Sequence, residues 1–250
     1  MHPTLFQIHS FTVYSYGFFV ALAVISAFFM SQNQAKALGM PQSTAADLVF
    51  VLFVAGVIGA RGFFVLQHFA DYEKDLWEVF SLREGGLVWY GGLIAAAIVG
   101  TVYAKARRWP LLKWCDFFSP VLAFSHAIGR IGCFFNGCCY GRVTGGDFGV
   151  VFEGDTFSRI PTQIYESAAL FIFSFYLFWS IHKRHRDGEI FVQYLLLYGA
   201  LRFLIEFFRG DQTPLGYLTL PQWMSLLLFA GALAGMIYLR MKPREPHAKN

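Results

Sequence analysis

Residues 47–69 read DLVFVLFVAGVIGARGFFVLQHF. The run is almost entirely apolar, and it is long enough to cross the hydrocarbon core of a bilayer, which takes about 20 helical residues. Two residues of the run are charged at neutral pH. They are Asp47, at its first position, and Arg61, well inside it. The stretch therefore predicts a membrane-spanning helix that carries a cation at depth.

The composition extends this prediction to the whole chain. The 250 residues are 56% hydrophobic and only 14% charged, whereas a soluble domain averages about 25% charged residues. The composition therefore favours an all-α integral membrane protein over a soluble enzyme. The formal net charge of +4 follows the placement of basic loops, so we expect no nucleic-acid partner.

Seven apolar runs predict seven transmembrane helices. The predicted spans are Phe11–Met30, Asp47–Phe69, Gly86–Tyr103, Cys115–Gly129, Gln163–Ile181, Ile190–Phe208 and Gln222–Leu239, of which the fourth is short. The first run has no basic flank before it and no small-residue cleavage site after it, so we expect no cleavable signal peptide.

The basic residues of the loops predict the orientation. They concentrate in alternate loops and in the tail, at Lys36, at Lys105, Arg107, Arg108 and Lys113, at Lys183, Arg184 and Arg186, and at Arg240, Lys242, Arg244 and Lys249. The positive-inside rule places these in the cytoplasm and the amino terminus outside. We expect one seven-span domain over residues 1–250, with periplasmic segments 70–85 and 130–162 and a basic cytoplasmic tail, 240–250.

The two periplasmic segments differ in character. Residues 70–85 mix acidic residues with Trp77 and Phe80, which is typical of an amphipathic piece lying along the membrane surface. Residues 130–162 are rich in glycine, and the alternation over residues 146–152 predicts a short strand in a small outer cap.

Ionisable residues inside a span are costly and are functional candidates. Arg61 lies about 12 Å below the outer end of the second span, at 1.5 Å per residue. Tyr198, Arg202, Glu206 and Arg209 follow one another at spacings that place them on one stripe of the sixth helix. The alternative for this stripe is an internal ion pair, Arg202 with Glu206, that holds helices together.

Other polar residues fall at the same predicted depth, near the outer ends of their spans. They are Tyr14 and Tyr16, Tyr90 with Gly91 and Gly92, His126 with Arg130, and Gln163 with Tyr165 and Glu166. His126 and Arg130 are four residues apart and hence on one helix face. Asp116 is the exception near the cytoplasmic side, where we expect it to cap the fourth helix. A cavity lined by arginines in the outer leaflet suits an anionic lipid headgroup.

Residues 129–141, GRIGCFFNGCCYG, combine Arg130 and Asn136 with three cysteines and four glycines. Glycines at this density let the backbone approach a ligand closely, and a guanidinium beside them suggests an anionic ligand. The alternative is a tight turn outside the membrane with an arginine that reaches back to the interface.

The cysteines are Cys115, Cys133, Cys138 and Cys139, and their spacing is not that of a soluble zinc site. We therefore predict no metal and no cofactor. In an oxidising compartment, Cys133 would pair with Cys138 or Cys139 in a disulfide, or the thiols would be small buried groups. The alternative is a thiol–disulfide exchange site, which would make the protein a membrane oxidoreductase.

Five blocks of the chain together resemble the prolipoprotein diacylglyceryl transferase family, in order and over nearly the whole length. They are His2-Pro3 with Tyr14-Ser15-Tyr16-Gly17, Gly59-Ala60-Arg61, Gly129 to Gly141, Pro161-Thr162-Gln163-Ile164-Tyr165-Glu166, and Arg202-Phe203-Leu204-Ile205-Glu206-Phe207-Phe208-Arg209. The resemblance implies a seven-span enzyme of the bacterial inner membrane. Such an enzyme moves the diacylglyceryl group of phosphatidylglycerol onto the lipobox cysteine of a preprolipoprotein signal peptide and releases glycerol-1-phosphate.

The resemblance also implies roles for residues, in a site open to membrane lipids. Arg130 and Arg202 occupy essential arginine positions, and with Tyr90 they are the predicted catalytic residues. Predicted to bind substrate are Arg130, Tyr16, Arg61, Asn136, Tyr198, Glu206, Arg209, Gly91, Gly92 and Gln163. The chain departs from the family pattern at Tyr90, where a histidine is common, and at Cys133 and Cys138, in place of an asparagine and a glutamate.

These departures lead to a hypothesis about catalysis. A tyrosine acts as a base only as a phenolate, and its ordinary pKa is near 10. We therefore expect arginine electrostatics to supply most of the rate, without a histidine base. A non-catalytic relative that binds anionic lipid is the other alternative.

Overall fold

The computed structural model describes residues 3–8, 11–72, 76–80, 85–183, 185–210 and 214–241. Within these ranges the chain is all-α apart from three short hairpins. The helices are α1 (Ser15–Ala37), α2 (Gln42–Gln67), α3 (Phe69–Tyr72), α4 (Trp89–Ala106), α5 (Leu111–Phe135), α6 (Thr162–Ile181), α7 (Glu189–Glu206) and α8 (Leu220–Met241), with a 3₁₀ turn at Leu76–Phe80.

Among the described residues, five helices are long and apolar enough to cross a membrane, namely α1, α2, α5, α6 and α8. This confirms a multi-pass helical membrane protein. The other two predicted spans correspond to α4 and α7, which are helices of 18 residues each. The count of seven spans and the orientation stay predictions.

The start of the first predicted span is wrong. Strand β1 (Thr4–Ile8) pairs antiparallel with strand β2 (Phe11–Tyr14), and α1 begins only at Ser15. Residues 11–14 are all aromatic or β-branched, and such residues favour strands. Apolarity alone therefore assigned this strand to the helix that follows it.

The fourth predicted span is too short at both ends. Helix α5 covers Leu111–Phe135 and contains Pro120, so Arg130 lies in helix and not in a turn. Gly132 stands at a close approach of two helices, because a Cβ there would come within 2.8 Å of Phe19 Cβ on α1. Glycine is unfavourable inside a helix, but at position 132 its lack of a side chain allows α1 and α5 to pack this closely.

Asp116 does not cap its own helix, which begins five residues earlier. Its carboxylate accepts hydrogen bonds from the backbone N–H groups of Gly188, at 2.6 Å, and Phe191, at 2.8 Å. It therefore caps the amino terminus of α7, where the donors have no partner within the helix. The expectation that Asp116 caps the fourth helix is wrong.

The chain divides into two compact units, one of Met1–Ala27 with Leu112–Asn250 and the other of Phe28–Leu111. In the second unit, α2 and α4 pack through glycines. A Cβ on Gly91 would lie 2.5 Å from the Gly59 carbonyl oxygen and 2.3 Å from Phe63 Cβ, and one on Gly92 would lie 2.9 Å from the Gly56 carbonyl oxygen. Small residues at these positions let the two backbones approach closely, as is common between membrane helices.

In the first unit, buried serines tie α6 to α5. Ser167 donates a hydrogen bond to the Ala127 carbonyl at 2.8 Å, and Ser174 donates one to the Pro120 carbonyl at 2.9 Å. Helix α7 packs against both α6 and α8. The hydrogen bonds fix the faces that α5 and α6 present to each other, and this determines which of their polar side chains meet.

Two further hairpins lie between helices. Strand β3 (Val150–Val151) pairs with β4 (Ser158–Arg159), and β5 (Pro214–Leu215) pairs with β6 (Leu218–Thr219). The predicted strand over residues 146–152 is confirmed for Val150 and Val151 only. The predicted surface segment 70–85 is described in part. It contains the last residues of α3 and the 3₁₀ turn, in which Trp77 and Phe80 are exposed. Residues 73–75 and 81–84 of the segment lie outside the described residues.

Candidate active site

The first cation of the site is Arg130, on α5. Its Nη2 lies 2.8 Å from Glu166 Oε1 on α6, and the Glu166 side chain is 2% exposed. His126 Nε2 lies 4.0 Å from the same oxygen. The prediction that His126 and Arg130 share a helix face is confirmed, and Glu166 is the group on which that face converges.

The second cation is Arg202, on α7. Its Nη2 lies 2.9 Å from Glu206 Oε2, which is one turn further along the helix. The other Glu206 oxygen, Oε1, accepts a hydrogen bond from Thr219 Oγ1 at 2.9 Å. The internal ion pair considered from the sequence is therefore present, and it fixes the guanidinium against a buried carboxylate.

His126 and Tyr198 connect the two arginines. The ring centroids of these residues are 5.2 Å apart. Arg130, Glu166 and Arg202 all lie close enough to His126 to act on it electrostatically, and Tyr198 lies within such range of Arg130. Both guanidinium groups therefore belong to one polar cluster built by α5, α6 and α7.

Each arginine of this cluster keeps a buried donor that no described residue accepts. These atoms are Arg130 Nε and Arg202 Nη1. A guanidinium has five N–H donors in a fixed fork, and a buried donor without a partner costs about 1–3 kcal/mol. Each carboxylate contacts one nitrogen of its guanidinium, Nη2, so the remaining donors suit the oxygens of an anion.

The segment after α5 is held against the start of α6. Buried Gln163 donates from Nε2 to the Cys138 carbonyl at 2.6 Å, and Thr162 donates from Oγ1 to the Cys139 carbonyl at 3.0 Å. Gly137 and Cys139 have positive φ angles of 71° and 65°, and the second is unusual for a residue with a Cβ. Gln163 thus holds the loop that follows Arg130, and its predicted contact with substrate stays a prediction.

Arg209 reaches the same loop from the other side. Helix α7 ends at Glu206, so Arg209 lies in the turn that follows and not on the helical stripe of Tyr198 and Arg202. Its backbone forms a bridge with Gly141, and a Cβ on Gly141 would lie 2.6 Å from the Phe208 carbonyl oxygen. Glycine at position 141 therefore permits the loop to meet the end of α7.

All four cysteines are free thiols in the structure. Cys133, in the last turn of α5, and Cys138 and Cys139, in the loop, have sulfur atoms within 4.8 Å of one another. The predicted disulfide is not formed, although both of its possible partners lie beside Cys133. Asn136, at the start of the loop, is exposed, and its side chain lies within hydrogen-bonding range of the Cys138 thiol.

Tyr16 stands beside these cysteines. It lies in the first turn of α1 and is 44% exposed. Cys133, Cys138, Cys139 and Arg130 all lie within its electrostatic range. Tyr16 is therefore a neighbour both of the three cysteines and of Arg130.

The other predicted site residues lie in the second unit. Arg61 is 9% exposed and donates to the backbone carbonyls of Glu78, Val79, Gly85 and Gly86 at 2.8–3.3 Å. It therefore holds the segment before α4. Tyr90 is half-exposed beside Trp89, and Gly91 and Gly92 pack against α2. A substrate role for these residues stays a prediction.

His126, Glu166 and Thr219 are not among the catalytic or binding residues predicted from the sequence. His126 and Glu166 were placed near the outer ends of their spans, but the partner of a buried arginine depends on how two helices face each other. Glu166 is almost fully buried, and a buried carboxylate requires a cation or several donors. That requirement is the signal that identifies Glu166. Thr219 lies in the β5–β6 hairpin, which no pattern in the sequence predicts.

Known proteins match this chain over nearly its whole length. A family model described as prolipoprotein diacylglyceryl transferase matches residues 3–238. A phosphatidylglycerol–prolipoprotein diacylglyceryl transferase from Clostridium tetani is 33% identical over 232 residues, which cover 90% of this chain and 93% of that protein. Proteins of the same name from Finegoldia magna and Clostridioides difficile are 32% and 30% identical, over 95% and 98% of this chain and 96% and 98% of their own lengths. Because the family model matches residues 3–238, which is nearly the whole chain, the chain belongs to the prolipoprotein diacylglyceryl transferase family.

Proposed function

We propose that the protein transfers the diacylglyceryl group of phosphatidylglycerol to the lipobox cysteine of preprolipoproteins, the first step of lipoprotein maturation. The product is a thioether, and glycerol-1-phosphate is released. Family membership and the names of the relatives support this activity. Its substrates are an anionic lipid of the membrane and the signal peptide of a preprolipoprotein.

The observation that carries the proposal is the pair of unsatisfied guanidinium donors. Arg130 Nε and Arg202 Nη1 are buried without an acceptor among the described residues, and both arginines belong to the cluster around His126 and Tyr198. Guanidinium forks match phosphate oxygens in geometry and charge. A phosphate bound between them would satisfy both donors at once.

This arrangement suits the chemistry of the transfer. The substrate sulfur forms a bond to a glycerol carbon while the bond from that carbon to a phosphate oxygen breaks, and the electron pair stays on the phosphate. Negative charge therefore grows on the leaving group. Arg130 and Arg202, held in place by Glu166 and Glu206, would stabilise that charge without reorganising, which is the most effective form of electrostatic catalysis.

The remaining site residues take supporting roles in the proposal. Tyr16, Tyr198, Asn136 and Arg209 lie around the arginine cluster or its loop and would line the substrate cavity. Glu206 and Gln163 would act through the groups that they hold, Arg202 and the Cys138 carbonyl. Tyr90, Arg61, Gly91 and Gly92 would contact substrate at the start of α4, and Tyr90 would serve as base only if its phenol is ionised.

We also propose the topology that the basic loops predict. Seven spans cross the bacterial inner membrane, the amino terminus is outside and the carboxyl terminus is in the cytoplasm. Arg130 and Arg202 then act in the periplasmic leaflet. Phosphatidylglycerol would enter sideways from that leaflet, with its acyl chains remaining in the hydrocarbon.

Complementation tests this function. The gene would be expressed in a bacterial strain depleted of its own diacylglyceryl transferase, and the mass of a reporter lipoprotein would be measured. We expect the wild type and an Arg107→Ala variant, which removes an exposed arginine outside the site, to restore growth and add a diacylglyceryl mass to the reporter. Arg130→Ala should do neither at equal membrane abundance. An unmodified reporter in cells that contain abundant wild-type protein would overturn the proposal.

A further inference from the structure

The Cys133, Cys138 and Cys139 side chains form the strongest cluster of metal-ligating atoms in the described part of the chain. Their sulfurs all lie within 4.8 Å of one another, and no histidine or carboxylate among the described residues joins them. Zinc bound by cysteines has Zn–S distances of about 2.3 Å in a tetrahedron, which places the sulfurs about 3.8 Å apart. The 4.8 Å limit on the sulfur separations is within about 1 Å of this spacing.

The backbone around the cluster is fixed before any ligand binds. The Cys138 N–H donates to the Cys133 carbonyl at 3.1 Å, which closes the turn after α5. Gln163 and Thr162, both 1% exposed, hold the carbonyls of Cys138 and Cys139. The positive φ of Cys139 directs this part of the loop back toward α5. A site with rigid supports loses little entropy when it binds a ligand.

Cationic side chains near the cluster can offset the charge of a metal–thiolate complex. Three thiolates and one Zn²⁺ carry a net charge of −1, by simple addition. Arg130 and Arg209 lie close enough to Cys139 to stabilise a negative charge there. The two guanidinium groups therefore lie where they can balance the negative charge of such a complex.

Three protein ligands leave one position of the tetrahedron open. Structural zinc sites are closed by four protein ligands, whereas catalytic sites have three and hold water or substrate in the fourth position. Arg130 is one helical turn from Cys133, and Tyr16 lies within electrostatic range of Arg130 and of all three cysteines. The open position would therefore be next to the arginine that we assign to the phosphate.

We propose that Cys133, Cys138 and Cys139 bind Zn²⁺, and that the open fourth position binds the thiol of the substrate cysteine and activates it as a thiolate. This inference rests on the proposed function, because it assigns the metal a role in that transfer. The spacing of the cysteines predicted no metal site from the sequence, since the sulfurs meet only when the loop folds back onto the last turn of α5.

The proposed step is balanced without an oxidant or a reductant. The substrate thiol coordinates zinc and releases its proton to water, since a coordinated thiol is deprotonated. Its sulfur lone pair forms the bond to the glycerol carbon, the carbon–oxygen bond to phosphate breaks, and glycerol phosphate leaves with the electron pair. The thioether product is a weaker ligand than a thiolate, so it dissociates and the zinc is unchanged.

Zinc content tests the site independently of activity. Full-length protein in nanodiscs, kept reduced with a phosphine, would be incubated with ZnCl₂, desalted and analysed by elemental mass spectrometry. We expect about one zinc per chain in the wild type and in Cys115→Ser, the matched control at the other end of α5, and none in the triple Cys133→Ser, Cys138→Ser, Cys139→Ser variant. Equal zinc in the triple variant and the wild type, or none in either, would overturn the site.

Cobalt binding tests whether the fourth position is open. It also tests the metal site if the triple serine variant fails to fold, because it uses single serine variants. Co²⁺ in the wild type should give sulfur-to-cobalt charge-transfer absorption that weakens in each single serine variant. A lipobox peptide with cysteine should intensify this absorption, and the same peptide with serine should not. Identical spectra with the two peptides would overturn substrate coordination.

The pH profile of transfer tests activation. The thiolate fraction of a free thiol with a pKa near 8.5 falls about 160-fold between pH 8.5 and pH 6. Zinc-loaded protein should lose much less activity over this interval, whereas protein treated with a chelator should follow the thiolate fraction. Identical profiles, or a full rate in protein whose cysteines are oxidised to a disulfide, would overturn activation. If zinc-loaded wild type binds metal but transfers nothing, the proposed function fails while the metal site stands.

Discussion

Arg130 Nη2 and Glu166 Oε1 lie 2.8 Å apart across α5 and α6, and the carboxylate is almost completely buried. This ion pair fixes the guanidinium of one helix against the helix that follows it. It also leaves Arg130 Nε without an acceptor among the described residues. The pair therefore positions a cation whose remaining donors are available to a ligand.

Removal of Glu166 should destabilise the protein strongly. Breaking a buried ion pair from one side costs about 3–5 kcal/mol, because the remaining charge is left without compensation. Glu166→Ala should lower the midpoint of thermal unfolding in detergent, and Glu166→Gln, which keeps an acceptor oxygen, should lower it less. The control is Glu153→Ala, an exposed loop residue, which should change stability by less than about 0.5 kcal/mol. Equal midpoints for Glu166→Ala and Glu153→Ala would show that Glu166 does not hold Arg130.

A methyl group at Gly91 should disrupt the packing of α2 and α4. The new Cβ would overlap Phe63 and the Gly59 carbonyl, and overpacking of this kind costs about 1–3 kcal/mol. Gly62→Ala is the matched control, because a Cβ there has nothing within 4 Å and alanine favours a helix by about 0.5–1 kcal/mol. The two variants should therefore shift the unfolding midpoint in opposite directions. A stable Gly91→Ala protein with a raised KM for lipid would instead favour substrate contact at Gly91.

Asp116 should affect stability without affecting the chemistry. Asp116→Ala removes the acceptor for two donors at the start of α7, and loss of such a cap costs about 0.5–2 kcal/mol. Asp116 is 14 residues from Arg130 on one helix, or about 21 Å at 1.5 Å per residue. We expect a lower unfolding midpoint but an unchanged kcat per folded molecule, with exposed Asp147→Ala as the control. A large fall in kcat at full stability would contradict this assignment.

The loop at Asp155 should be weakened by acid. The Arg159 guanidinium, followed by the Phe157 N–H, holds the pKa of the partly exposed Asp155 carboxyl below its usual 3.8. Because the pKa is lower in the folded state, the pair stabilises the loop above about pH 4. That stability is lost as the pH falls through the lower folded value.

Hydrogen exchange at the Phe157 amide, corrected for intrinsic rates, measures this effect. Protection should fall in the wild type below about pH 4, and Asp155→Asn should show the reduced protection already at pH 6. The same protection in Asp155→Asn and in the wild type at pH 6 would exclude the ion pair as its source.

The number and order of the long helices in the described part of the chain could be predicted from the sequence, because each of them coincides with a long apolar run. The ends of the helices were less predictable. Residues 11–14 pair as a strand although they resemble the apolar helix that follows. Helix α5 continues past its predicted end at Gly129, and α1 packs against it at Gly132. Local composition does not reveal such packing.

The site was predictable in part, because a buried charge is visible in the sequence and its partner is not. Arg202 is predicted from its position inside a span, Arg130 from the glycine-rich segment 129–141, and the Arg202–Glu206 pair from helical spacing. The pairing of Arg130 with Glu166, the capping of α7 by Asp116 and the meeting of three cysteine sulfurs all join residues that are distant in sequence or separated by a turn. These contacts depend on tertiary packing.

The most direct test of the arginine assignment is the rate of diacylglyceryl transfer by purified protein in phosphatidylglycerol vesicles, with a lipobox peptide as acceptor. Loss of one electrostatic donor to a developing anion typically costs about 10²–10³ in kcat. Arg130→Lys and Arg202→Lys keep the charge but lose the fork, and each should lower kcat by about that factor, while Arg107→Lys should not. Transfer at the wild-type rate by folded Arg130→Lys or Arg202→Lys protein would contradict the claim that these two guanidinium groups bind the phosphate of the departing headgroup.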